Sequence, residues 1–183
     1  TEAGSYIGGD RDLSYNGVVI KRRDAGLTVR RLHVDSVGLS GIKTSDSRNY
    51  TDSCLIDSNL VQYSGMMLND VGGIQVSHDS NDYDLIKVRR NIIDNQFENT
   101  WMTFSGSLQS TAFYIDVAGS GTTFQYNFIS RASLGAKLNG TSYNYILDNT
   151  FVKITGFGMS GVSTGYGHFG DATAYCDFRR NLV

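Results

Sequence analysis

The sequence predicts an all-β fold built from many short strands, and three observations lead to this prediction. One short phrase, in which an asparagine lies between apolar residues, recurs along the chain. Residues that compete with helical hydrogen bonding are abundant, whereas glutamate occurs only at Glu2 and Glu98. Short apolar runs alternate with clusters of Gly, Ser, Asn and Asp, which form turns. Together these features favour strands and turns over helices.

The recurring phrase has an apolar residue three positions before its asparagine and, in most copies, another two positions after it. It occurs as IDSNLV, VRRNII, FQYNFI, ILDNTF and FRRNLV, with spacings of 22 to 36 residues. A degenerate copy, TVRRLHV, places Arg31 in the asparagine slot. Periods of about 20 to 50 residues indicate a repeat array. The anchor residues are Asn59, Asn91, Asn127, Asn149 and Asn181.

Apolar residues around the anchors predict two columns of stacked interior positions. Each period also contains further strand-like runs, such as GVVI, GIQV, AFYIDV and GAKL. Two or three short strands and a loop of variable length describe one coil of a parallel β-helix, and a 22-residue repeat is too short for a propeller blade. One column contains Thr28, Ile56, Val88, Phe124, Ile146 and Phe178, and the other contains Val61, Ile93, Ile129, Phe151 and Val183.

These repeats resemble the right-handed parallel β-helix proteins of the pectate-lyase-like superfamily over most of the chain. The resemblance rests on the N-x-apolar phrase and on the glycine-rich turns between the strand-like runs. It implies a single β-helix domain, residues 1–183, with about six coils. It also implies that the anchor asparagines stack as a structural ladder that leaves no buried amide unsatisfied. Because the sequence stops within the phrase, at RRNLV, we expect a fragment, or flanking domains or an oligomer partner that cover the coil ends.

Charge and hydropathy argue against two classes of partner. The net charge is -2 with both signs interspersed, so we expect no basic face for nucleic acid. No apolar run approaches the roughly 18 residues of a membrane span, so we expect no membrane insertion. The resemblance implies a polysaccharide as the partner and a secreted, cell-surface or virion-surface location.

Outward positions on neighbouring strands are the candidates for catalytic chemistry. Asp116 is the most suggestive carboxylate, because aspartate is disfavoured inside strands. With His78, Asp79 or Asp70 it could supply an acid and base pair for glycoside cleavage. We therefore expect its carboxylate within about 10 Å of a carboxylate or imidazole from an adjacent coil. The alternative is that Asp116 is an ordinary solvated residue.

Further outward residues are candidates for substrate binding. Strand alternation turns Gln75 and Tyr114 away from the interior. Lys43 and Lys137 could neutralise a uronate carboxylate or remove its α-proton, as a polysaccharide lyase requires, or they are ordinary surface lysines. Exposed tyrosine rings stack on sugar faces, and the alternative is that they pack loops onto the coil. The tyrosines considered for this role are Tyr63, Tyr114, Tyr143 and Tyr166.

Two other features bear on metal binding and on disulfide formation. The run HDSNDYD at 78–84 could bind calcium through its aspartates, but a solvated acidic loop is favoured, and no cofactor is expected. Cys54 and Cys176 occupy the same slot of the repeat, each five residues before an anchor. Four coils at about 4.8 Å separate them by roughly 19 Å, too far for a disulfide. We expect two free, largely buried thiols.

Two functional hypotheses follow. The first is a polysaccharide-active domain that cleaves glycans, as a glycoside hydrolase or polysaccharide lyase, or binds them along its flank. The second is a non-catalytic structural or adhesive module of a surface protein or phage tailspike. Paired carboxylates on neighbouring outward strands would favour the first hypothesis.

Overall fold

Sixteen short strands and no helix make up the described part of the chain. The computed structural model describes residues 16–21, 26–45, 53–66, 71–77, 85–96, 110–116, 120–139, 141–157, 162–163 and 176–183. No helix in these ranges is long and apolar enough to cross a membrane. The strands are β1 (Val18–Lys21), β2 (Leu27–Arg30), β3 (His33–Asp35), β4 (Ile42–Ser45), β5 (Cys54–Asp57), β6 (Leu60–Gln62), β7 (Val71–Ser77), β8 (Ile86–Arg89), β9 (Ile92–Asp94), β10 (Ser110–Asp116), β11 (Thr123–Gln125), β12 (Phe128–Asn139), β13 (Tyr145–Leu147), β14 (Thr150–Phe157), β15 (Val162–Ser163) and β16 (Asp177–Arg179).

The strands pair in three parallel ladders, and each strand pairs with one two or three places further along the chain. Ladder A runs β1, β4, β7, β10 and the second part of β12, with β15 beyond it. Ladder B runs β2, β5, β8, β11, β13 and β16. Ladder C runs β3, β6, β9, the first part of β12, and β14. β12 joins ladders A and C into one ten-stranded sheet. This order is compatible with a parallel β solenoid.

The core lies between the ladders and includes the predicted interior columns together with buried side chains of ladder A. Ile56, Val88, Phe124 and Ile146 of ladder B are fully buried, as are Val61, Ile93 and Ile129 of ladder C. The ring of Phe124 stacks on Phe113 of ladder A, with centroids 3.8 Å apart. Burial of each such side chain stabilises the fold by roughly 1.5 to 3 kcal/mol. The predicted columns are therefore confirmed at their centre.

The columns differ from the prediction at both ends. Val29 pairs with Ile56, so Val29 and not Thr28 continues the column, and Thr28 is exposed. The anchor slot belongs to Leu32, whose N–H donates to Oδ1 of Asn59 at 3.0 Å. Arg31 instead takes the corner position before the anchor, with φ 57°. At the other end Val183 is 69% exposed and does not extend the interior column.

Each anchor follows a corner residue in the left-handed region. The corner residues have φ between 53° and 58°, and none is glycine. This conformation costs an L-residue about 1 to 2 kcal/mol, so the hydrogen bonds around each corner must offset it. The corner residues before the anchor slot are Arg31, Ser58, Arg90, Tyr126, Asp148 and Arg180.

The anchor asparagines form the predicted ladder. The side-chain amide of each of the first four donates to Oδ1 of the next at 2.9 to 3.0 Å. The same oxygen accepts the backbone N–H of the preceding anchor at 2.9 Å. Each amide also donates to a carbonyl of the preceding repeat at 2.8 to 3.1 Å. The ladder thus satisfies polar groups that the core would otherwise bury unpaired.

Three glycines allow ladders A and C to approach each other closely. A Cβ at Gly41 would overlap the side chain of Val61 and lie 2.7 Å from the carbonyl oxygen of Gly73. A Cβ at Gly73 would collide with Ile93, and one at Gly17 would collide with Val34. Glycine is therefore required at these three positions, because the two ladders pack too closely there to admit a side chain.

Both cysteines are free thiols, as predicted. Cys54 is buried in ladder B, where it pairs with Ile86. Cys176 is half-buried, less than expected, and packs against the edge of the core. Desolvation raises the pKa of the Cys176 thiol. A thiol in this state is a poor nucleophile, which agrees with a packing role.

Candidate functional site

The four predicted substrate-binding residues form one row across adjacent strands of ladder A. Lys43 of β4 pairs with Gln75 of β7, Gln75 with Tyr114 of β10, and Tyr114 with Lys137 of β12. Adjacent strands lie about 4.8 Å apart, so the row spans roughly 14 Å. We call these four residues the ladder A row.

Asp116 lies in a second row, two residues further along the same strands. It pairs with Ser77 on one side and with Asn139 on the other. Its carboxylate accepts hydrogen bonds from the Tyr114 hydroxyl at 2.8 Å and from the Asn139 amide at 3.1 Å. The Gln75 amide donates to it at 3.5 Å, at the limit of hydrogen-bond distance. Two neighbouring strands and its own strand therefore orient this carboxylate.

The residues of the ladder A row are themselves held in place. The ammonium of Lys137 lies 4.7 Å from the centre of the Tyr114 ring, a cation–π contact. The Ser40 hydroxyl donates to Oε1 of Gln75 at 2.5 Å. Because Oε1 accepts from Ser40, the amide nitrogen of Gln75 points towards Asp116. The site is thus pre-organised by contacts between strands.

The prediction that Tyr114 offers an exposed ring is wrong, and Gln75 is buried as well. Tyr114 and Gln75 lie opposite the core-facing residues of their strands, as alternation predicts, yet they are only 1% and 4% exposed. The ring of Tyr114 is covered by Lys137 and its face is closed. A buried ring offers no platform for a sugar. Lys43, Lys137 and Asp116 are half-buried and remain the accessible groups of the site.

The exposed tyrosine rings lie elsewhere. Tyr143, one of the predicted candidates, is 45% exposed, and Tyr126 is 56% exposed. Tyr63 is half-buried, and Tyr166 lies outside the described residues. Tyr126 occupies a corner of ladder B, so these rings do not extend the ladder A row.

The predicted partners of Asp116 lie outside the described residues. They are His78, Asp79 and Asp70, and the same holds for Asp82 and Asp84 of the acidic run. Within the described ranges, no hydrogen bond or ion pair joins Asp116 to a second carboxylate or to an imidazole. No group of three or more His, Cys, Asp or Glu residues in those ranges could hold a metal ion. The acid and base pair remains a prediction.

Sequence reasoning missed Asn139 and a polar network on ladder C. Asn139 directly follows the run GAKL, and only the pairing of β10 with β12 shows that it lies beside Asp116. On ladder C, Gln62 bonds to His33 at 3.1 Å and donates to Asp94 at 3.2 Å. Ser130 donates to Asp94 at 2.5 Å. Gln62, Asp94 and Ser130 pair in register across neighbouring strands, a relation that only the correct strand alignment reveals.

Three aspartates outside ladder A are held by arginines of the next repeat. Hydrogen bonds from Arg131 hold the pKa of Asp94 at about 2, and Arg180 has the same effect on Asp148. Arg90 lowers the pKa of Asp57. Such carboxylates stay ionised near neutral pH and cannot serve as general acids. The ion pairs are structural.

Comparison with known proteins assigns this chain to no family. No protein-family model, no curated protein and no solved structure matches the chain. The chemistry of the candidate site therefore rests on its own residues. These are a half-buried carboxylate with three donors, and two lysines at the ends of the ladder A row.

Proposed function

We propose that the chain is a right-handed parallel β-helix of about six coils, of the pectate-lyase-like type, that binds a polysaccharide along ladder A. Three features support this architecture: parallel pairing between successive repeats, the asparagine ladder and the interior columns. The location that fits such a protein is extracellular or on a cell or virion surface.

One observation carries the proposed activity: the registered row Lys43, Gln75, Tyr114 and Lys137 beside Asp116. The sheet places the accessible Lys43 and Lys137 three strand steps apart, roughly 14 Å, a separation that suits an extended ligand. The lysines supply cationic donors at both ends of the row, and Asp116 accepts hydrogen bonds between them. Hydroxyl-rich and carboxylate-bearing sugars match this set of donors and acceptors.

Cleavage requires a second group beside Asp116. Hydrolysis needs two carboxyl groups roughly 5 to 9.5 Å apart, and the nominated partners are Asp79 and Asp70, with His78 as an alternative base. Elimination from a uronate would instead use a lysine as the base, with Lys137 or Lys43 in that role. In either case Asp116 is the residue that the donors of Tyr114 and Asn139 orient.

A second candidate function is a non-catalytic structural or adhesive module. The burial of Tyr114 and Gln75 favours it, because two residues of the row face protein rather than solvent. Asp116 also has three donors within the protein, as a structural carboxylate does.

The two functions are separated by incubation with a panel of neutral and uronate-containing polysaccharides. Release of reducing ends without new ultraviolet absorbance indicates a hydrolase, and release with absorbance of unsaturated uronates indicates a lyase. Binding in affinity electrophoresis without release indicates the module. If the protein neither releases reducing ends from any polysaccharide of the panel nor binds one, the proposal is contradicted.

A further inference from the structure

An apolar stripe lies exposed on the outer face of ladder C. Leu60, Ile92 and Phe128 pair in register on three adjacent strands and point away from the core. Ile92 is 46% exposed, Phe128 is 42% exposed and Leu60 is half-buried. These side chains are contiguous on three strands and not scattered singly, so they offer a small apolar surface that a partner can cover. The surface belongs to ladder C and shares no residue with the ladder A row.

The charges along this face have a definite order. The row two residues beyond the stripe contains Asp35, Gln62, Asp94, Ser130 and Val152. At its centre Asp94 pairs with Arg131, which occupies the corner of the next strand. This pairing of a carboxylate with the next corner is repeated between Asp57 and Arg90 on ladder B.

The two ends of the same face lack this pairing. The corner of the strand next to Asp35 is Tyr63, so Asp35 has no corner arginine, and its side chain bonds only to Ser36 and His33 in the described residues. At the other end Lys153 occupies the corner of the strand next to Ser130, and Ser130 is not a carboxylate. No ion pair of Lys153 occurs in the described part of the chain. The carboxylate of Asp35 and the ammonium of Lys153 thus lie at opposite ends of this face of ladder C, four strand steps apart.

We propose that this face of ladder C is the two-fold interface of a homodimer. A two-fold axis that lies in the interface, parallel to the strands and at β9, reverses the strand order between copies. Ile92 then meets Ile92 of the partner subunit, and Leu60 meets Phe128 of the partner subunit. Asp35 of each copy lies opposite Val152 of the partner subunit, next to Lys153 of the partner subunit. The order of charges is therefore self-complementary.

Geometry supports a second copy rather than another occupant. The stripe repeats every 4.8 Å or so, and an identical face has the same repeat, so each apolar side chain of one copy lies opposite an apolar side chain of the other. The five strands span only about 19 Å, less than an interface of standard size, which buries roughly 800 Å² on each partner. The dimer is accordingly weak, with a dissociation constant in the micromolar range or above.

Sedimentation velocity over about 1 to 500 µM tests this proposal directly. We expect the weight-average sedimentation coefficient to rise with concentration towards that of a dimer. Ile92→Thr keeps a β-branched side chain and should weaken association by roughly tenfold, because the residue contributes twice at the axis. Leu85→Thr is the matched control, since Leu85 is 53% exposed and precedes β8 of ladder B. It should leave association unchanged.

A charge exchange tests the strand order. Asp35→Lys and Lys153→Asp should each weaken association by roughly fivefold, and the two changes combined should restore it. Circular dichroism reports whether each variant is folded. A protein that stays monomeric at the highest concentration overturns the proposal, as does a combined variant weaker than both single ones. If Ile92→Thr alters polysaccharide binding but not sedimentation, the face is a glycan surface and the dimer is excluded.

Discussion

The side-chain amide of Asn91 donates to Oδ1 of Asn127 at 3.0 Å, and that oxygen also accepts the backbone N–H of Asn91 at 2.9 Å. Asn127 in turn donates to the carbonyl oxygen of Val88 at 3.0 Å and to Asn149 at 3.0 Å. Asn91 and Asn127 are 1% and 2% exposed. One side chain therefore satisfies polar groups in the repeats on both sides of it.

Asn127→Ala should lower the free energy of unfolding by roughly 2 to 4 kcal/mol, because it removes the side-chain acceptor of the buried Asn91 N–H and a donor to the carbonyl of Val88. Urea unfolding followed by circular dichroism measures the loss. Asn181→Ala is the control, since Asn181 is half-buried at the last rung described. Equal losses at the two positions would contradict this account of the ladder.

Gly41→Ala should destabilise the fold by roughly 1 to 3 kcal/mol, because the added methyl group overlaps Val61 and approaches the Gly73 carbonyl. The measurement is again the free energy of unfolding in urea. Val61→Ala removes the overlapping atoms, so in the double variant the loss should be smaller than the sum of the single losses. Strict additivity would show that the contact with Val61 is not the cause.

The ion pair of Asp94 and Arg131 should make stability depend on acid. The pKa of Asp94 is about 2 in the folded protein, chiefly through hydrogen bonds from Arg131, against about 3.9 in an unfolded chain. The pair therefore stabilises the fold above about pH 4, and this stabilisation is lost as the pH falls towards 2. Asp94→Asn and Arg131→Gln should both flatten the fall in unfolding free energy between those pH values. An unchanged pH profile in Asp94→Asn would exclude this role.

If the protein cleaves a polysaccharide, Asp116→Asn should lower the rate of bond cleavage by about a hundredfold or more, the usual effect of losing a general acid or base. Binding should persist, because asparagine retains an oxygen that can accept from Tyr114. Asp35→Asn, on ladder C, is the control and should leave cleavage unchanged. Reducing-end release and affinity electrophoresis give the two readouts, and full activity of Asp116→Asn would remove the residue from the mechanism.

Lys43→Ala and Lys137→Ala should each weaken binding of a uronate-containing polysaccharide by roughly three- to tenfold. Lys87→Ala is matched to them, because Lys87 is an exposed strand lysine on ladder B, outside the row. Isothermal titration at low and high salt measures the differences. A loss of affinity that is equal in all three variants would indicate a general charge effect and no site on ladder A.

The anchor asparagines, the interior columns and the free thiols were predictable because every repeat meets the same packing problem at the same position. The alignment failed by one residue at Arg31, where no asparagine marks the anchor and two adjacent residues compete for the slot. The burial of Tyr114 was not predictable, since alternation gives the direction of a side chain and not what covers it. Asn139 was missed because its relation to Asp116 depends on pairing across strands.

In the described residues each strand pairs only with strands of the neighbouring repeats, and this limits how far folding cooperativity extends along the chain. Anchors that bond to each other are 22 to 36 residues apart, so no contact in the ladder bridges the whole length of the chain. Stability is then transmitted from neighbour to neighbour, and structure can be lost from one end while the rest persists. Amide hydrogen exchange should be slowest in β8 and β11, whose core side chains are fully buried, and faster in β16, whose residues are half-buried or exposed.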